Sequence, residues 1–172
     1  NLFVNFTVKR LTETFGLFIF GAGFLILLAL FSYSPEDPNF IFPENTEIKN
    51  ILGFKGSFVS DLFFQSLGLV SYLFSFTLMI TGINITISKD FLLVIENLFF
   101  AVIYSIFGTL FLTHFHSDAF TIYLNGNGGF VGIYFNNTFL NTIILINEVI
   151  FYYILIIINI ILFSVSINLR PV

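Results

Sequence analysis

Four sets of residues in this chain have side chains able to do chemistry. Glu36 and Asp37 lie between Pro35 and Pro38 in the stretch FSYSPEDPNF, residues 31–40. Adjacent carboxylates perform acid–base work only when a partner group and a substrate proton come within hydrogen-bond reach. No histidine stands nearby in sequence, so a solvated loop or a docking corner for another protein is the competing reading. His114, His116 and Asp118 form H-x-H-x-D. On an extended segment the three share a face and make a candidate metal site, which would be the chemistry of a metal-dependent membrane enzyme. On a helix they do not, and no metal is assigned. Lys55 between Gly53 and Gly56 suggests a phosphate loop, but G-x-x-x-x-G-K-[ST] occurs nowhere. Asp61, Glu96 and Glu148 border greasy runs. Ionisable groups inside a bilayer mark ion or proton paths. Each of these, however, falls within reach of a run's end and of the interface. No residue is assigned as catalytic or cofactor-binding.

The elements that must hold these residues are membrane helices. The chain is 57% hydrophobic and 9% charged, against about 25% charged in soluble domains. No water-soluble fold of this length hides so much apolar surface. Six scattered Lys and Arg make no nucleic-acid patch, and the absence of cysteine excludes disulfides and thiolate metal sites. Phe is abundant at 27 residues, which AT-rich codons explain better than a stacking role. A span needs about 20 apolar residues. The runs predict an all-α integral membrane bundle of four transmembrane helices, at about 15–33, 62–87, 91–113 and 149–169. A segment 1–13 precedes them, and loops at 34–57 and 114–130 join spans on one face. Gly68, Ser71, Ser75 and Gly82 give span two a small-residue face for close packing, within one chain or between chains. Asn125–Gly129 is a turn signal. Residues 130–147 read as a helix with Asn136, Asn137, Asn141, Asn147 and Glu148 on one side. It either lies in the interface before the fourth span or extends that span. Lys9, Arg10, Lys89 and Arg170 fall on one side and only Lys49 and Lys55 on the other, which predicts both termini in the cytoplasm. The acidic loop 34–57 is then external. Pro35 and Pro38 end the first helix, and Tyr33 sits at headgroup depth.

These motifs, in this order, resemble the N-terminal membrane domain of the FtsK/SpoIIIE DNA translocases. Ser32, Tyr33, Asp37 and Pro38 match that family's Ser-Tyr-x-x-x-Asp-Pro motif. Asn50, Gly53 and Gly56 match Asn-x-x-Gly-x-x-Gly, followed by Asp61 and a mid-helix glycine at Gly68. Gly128, Gly129 and Gly132 match a later Gly-Gly-x-x-Gly. The resemblance implies a structural role for these residues and a membrane anchor for a motor encoded further along. Such a motor would use ATP and magnesium to pump double-stranded DNA, and would couple chromosome partition to cell division. It implies a bacterial inner-membrane protein at the division septum, contacting lipid, other division proteins and further copies of itself. The chain itself would then be no enzyme and would need no cofactor. A small membrane transporter or channel subunit is the alternative, and it would require polar groups converging on a path.

Overall fold

A computed structural model describes residues 2–38, 47–117 and 125–167. Among these residues every regular element is helical: α1 (Leu2–Phe31), α2 (Gly53–Leu67), α3 (Val70–Ser88), α4 (Leu93–Phe115), α5 (Gly129–Asn136), α6 (Phe139–Ile146) and α7 (Glu148–Ser166). Four of them, α1, α3, α4 and α7, are long and apolar enough to cross a bilayer. At about 1.5 Å per residue they extend from about 28 to about 45 Å, enough for a hydrocarbon core of about 30 Å. The prediction of an all-α, four-span membrane bundle therefore holds, and the chain is a multi-pass membrane protein.

The spans pack in sequence, α1 on α3, α3 on α4 and α4 on α7. The α1–α3 seam is a backbone contact. A methyl added to Gly82 would run into the Phe20 amide and the Gly16 carbonyl, and one added to Gly16 would lie 2.8 Å from the Gly82 carbonyl oxygen. Small residues let helix backbones approach this closely in lipid, where no hydrophobic effect pulls helices together. Ser71, Ser75 and Gly82 are all buried, so the small face of span two packs within the chain. Apolar layers fill the rest: Ile19 with Ile85 and Val94, Val70 with Ala101 and Tyr104, and Leu110 with Ile144 and Leu155.

The bundle has two ends. The loop end carries residues 32–38, and the turn end carries the tight α3–α4 connection. At the turn end Lys89 takes φ 61° and binds Glu13 at 3.0 Å. Glu13 also pairs with Arg10. Segment 1–13 is not separate from the first span, because α1 is helical from Leu2 onward.

Span two differs from its predicted course. The uncharged run 62–87 is broken at Gly68, with φ 57° and ψ −137°. Residues before the break belong to α2, and only α3 crosses. Hydropathy cannot see such a break, because Gly68 and Leu69 do not lower the apolar count. Helix α2 lies across the loop end. It starts beside Ala29 near the top of α1, and its other end abuts Asn127 and Gly129. The segment 130–147 is likewise two helices, α5 and α6, bent by 72°. Thr138 starts α6 by accepting a hydrogen bond from the Leu140 amide at 3.3 Å, a cap that competes with a continuous helix. Gly128 and Gly132 sit against Thr109 and Thr113 near the top of α4. At the start of α7, Tyr152 packs on Phe115 at the same end. The pair thus begins and ends on one side of the bundle and makes no fifth span. The last two spans run as α4 and α7, close to their predicted limits.

Candidate functional site

The motif residues of the loop end assemble into one polar clasp. Tilting off the end of α1, the chain turns at Pro35–Pro38 and folds Asp37 inward, where it is 1% exposed. Its two carboxylate oxygens accept hydrogen bonds from the backbone amides of Lys49 and Asn50, each at 2.8 Å. Asn50, also buried, donates from Nδ2 to the Ala29 carbonyl at 2.9 Å and to Ser60 Oγ at 3.4 Å. Its Oδ1 accepts from the Leu52 amide at 3.1 Å. Ser57 Oγ on α2 donates to the Pro38 carbonyl at 2.9 Å. Ser32 Oγ accepts from the Ile51 amide at 3.2 Å while donating to the Leu28 carbonyl. The clasp therefore ties the end of α1, the exit loop and the first turns of α2 to one another.

Two glycines of this region have different reasons to be glycine. Gly53 holds φ 65° in a turn closed by its own amide on the Asn50 carbonyl at 2.9 Å, a conformation that L side chains rarely adopt. Gly56 lacks room instead, since a methyl there would strike Asn50 Oδ1. Further along α2, Asp61 accepts weak hydrogen bonds from Tyr33 Oη at 3.4 Å and Gln65 Nε2 at 3.5 Å. The Tyr33 ring stands edge-on to buried Phe64, 4.9 Å between centroids.

Glu36 and Asp37 are neighbours in sequence but not in environment. Asp37 faces the interior amides. Glu36 points to solvent and pairs with Lys49. The Lys49 ammonium holds the Glu36 carboxyl below the ordinary carboxylate range, and Glu36 raises Lys49 in return. One carboxylate is a structural acceptor and the other half of an exposed ion pair, so the two do not form an acid–base couple.

The second motif cluster joins α2 to α5. Gly68 fits where it does because a methyl there would overlap the Asn127 carbonyl. That carbonyl accepts from the Leu69 amide at 2.9 Å. Gly129 is pressed against the Ser66 carbonyl, and Gly128 and Gly132 against Thr109 and Thr113. Asn127, 1% exposed, donates to the carbonyl of His116, and Asn125 donates to the Gln65 carbonyl at 3.1 Å. The sequence marked 125–129 as a turn. It did not reveal that the turn clamps the end of α2.

The histidines do not gather a metal site within the described residues. His114 Nδ1 lies 3.2 Å from Asn136 Oδ1, and His116 Nε2 lies 3.5 Å from Tyr152 Oη. Asp118 falls outside the described residues. The bordering acids do not converge: Asp61 and Glu148 sit at the loop end and Glu96 opens α4 at the turn end.

Sequence reasoning missed a seam of neutral polar groups between α3, α4 and α7. Thr77 Oγ1 lies 2.9 Å from Tyr104 Oη and 3.3 Å from Ser166 Oγ. Asn97 Nδ2 donates to Thr81 Oγ1 at 2.9 Å, and Asn84 Nδ2 to the Ile167 carbonyl at 3.1 Å. The signal was present, because Thr77, Thr81 and Asn84 recur at helical spacing in an apolar run. None of these groups carries a charge at neutral pH, so the charged residues do not mark it.

A profile described as the "4TM region of DNA translocase FtsK/SpoIIIE" matches residues 8–169. Among curated proteins, a DNA translocase FtsK from Azospirillum brasilense is 28% identical over 112 residues, covering 64% of this chain. The aligned part is 17% of that relative's length, so the chain is similar to a small portion of it. No solved structure matches the chain.

Proposed function

The chain belongs to the family of membrane regions of the FtsK/SpoIIIE DNA translocases, and from that premise we propose that it anchors such a translocase at the bacterial division septum. The observation that supports this reading is the division of the fold into two parts. Four helices are apolar enough to cross a membrane, while α2, α5 and α6 are tied across one end of the bundle. Four spans in lipid hold a polypeptide irreversibly on the time scale of cell division. Anchoring raises the local concentration of an attached motor and so favours its assembly into a ring, with several copies of this chain side by side. ATP, magnesium and double-stranded DNA belong to that motor, in segments beyond the four spans. The clasp itself is buried, and the side chains it leaves exposed at the loop end, Glu36 and Lys49 beside Ile51 and Phe54, are suited to contact other division proteins. Both termini then lie in the cytoplasm of a cell whose inner membrane holds the bundle, and the clasp faces outward.

A fluorescent protein fused after Val172 is expected to collect at mid-cell in dividing bacteria. Uniform fluorescence around the membrane overturns septal recruitment. The transporter reading draws on the polar seam alone. Its groups hydrogen-bond mostly to one another, and among the described residues no carboxylate, histidine, lysine or arginine joins them, so ion flux through liposomes containing the chain is expected to stay at background.

A further inference from the structure

Between α1 and the first turns of α2 lies a cleft of about 300 Å³. Ala22, Leu25 and Ile26 of α1 form one wall, and Leu52, Lys55 and Val59 of the α2 region the other. We propose that this cleft binds one anionic phospholipid, with an acyl chain along α1 and the headgroup phosphate at Lys55.

Three observations carry the proposal. The α1 wall rises along the helix axis from Ala22 to Ala29, about 10 Å at 1.5 Å per residue, which is the direction an acyl chain takes in a leaflet. The lining presents only apolar surface, Lys55 contributing its aliphatic stem, so in a membrane hydrocarbon fills it. Lys55 supplies the charge complementarity. It is exposed at the loop end, where α1 leaves the bilayer, and it makes no ion pair among the described residues. The neighbouring cation is not available in the same way, because Lys49 is held by Glu36. An ammonium at headgroup depth, beside an apolar slot and lacking a carboxylate partner, selects a phosphate-bearing lipid with net negative charge.

The test is native mass spectrometry of the chain in detergent with equal amounts of phosphatidylglycerol and phosphatidylcholine. The chain is expected to retain phosphatidylglycerol roughly fivefold over phosphatidylcholine, the weight of one lysine at an anionic surface. Lys55→Gln is expected to lose the preference while still binding both lipids. Ala22→Trp, which fills the slot, is expected to lower retention of both, with helicity by circular dichroism unchanged. A preference that survives Lys55→Gln, or retention that survives Ala22→Trp, overturns the proposal. The chain contains no cysteine, so Leu25→Cys provides a unique thiol. Efficient disulfide-linked dimers of that variant in membranes would show a second copy in the cleft and overturn the lipid assignment as well.

Discussion

Asp37 is a buried carboxylate in a membrane protein, and its partners explain why it is tolerated. Taking a carboxylate out of water is costly unless donors replace the lost hydration. Two backbone amides at 2.8 Å provide charge-assisted hydrogen bonds, the stronger kind. The dependence runs both ways, since those amides lie in an irregular stretch with no helix to satisfy them. Asp37→Ala is therefore expected to destabilise the loop end by about 1–3 kcal/mol per orphaned amide. Asp37→Asn keeps one side-chain oxygen as acceptor and is expected to lose less. Thermal unfolding of the three proteins in one detergent checks this, and equal melting temperatures for Asp37→Ala and the parent would show that the clasp contributes nothing. Glu36, one residue away, is exposed and pairs with Lys49 in an exposed salt bridge, a kind that contributes little to stability.

At the scale of elements, the informative feature is the break at Gly68. It lets α2 lie across the loop end instead of lengthening α3, and it brings the chain against Asn127. Both the backbone angles and the space demand glycine. Gly68→Ala adds backbone strain of about 1–3 kcal/mol and a clash with the Asn127 carbonyl. It is expected to release α2 from α5 while α1, α3, α4 and α7 remain inserted. Limited proteolysis reads this directly: cleavage within residues 53–67 is expected to rise many-fold in Gly68→Ala, with the membrane-embedded fragments intact. Unchanged protection of α2 would mean that the break is not what seats it.

The whole molecule is a bundle with unequal ends. Its turn end is closed by four connecting residues and an Arg10–Glu13–Lys89 ion cluster. Its loop end carries α2, the α5–α6 bend and both motif clusters. This asymmetry fixes a topology with four crossings. Reporters inserted at Asn45 and at Asn147 are expected on one side of the membrane, and reporters at Lys89 and after Val172 on the other. A reporter at Asn147 on the Lys89 side would make α5–α6 a fifth span and reverse the direction of α7.

Composition and hydropathy alone determined that this is a four-span membrane protein, because the cost of leaving some twenty apolar residues in water, or a charge in lipid, is read from residue type without reference to neighbours. The order of its motifs also gave the family. What hydropathy could not supply were the elements that do not cross. A break at Gly68 is a matter of backbone angle and of the Asn127 carbonyl, far away in sequence. The bend at Asn137–Thr138 depends on a cap, and the inward turn of Asp37 depends on amides brought to it by α2. Burial of Thr77, Asn97 and Tyr104 is likewise invisible until α3, α4 and α7 face each other. Only the tertiary structure decided these, since each is set by a partner the local sequence does not contain.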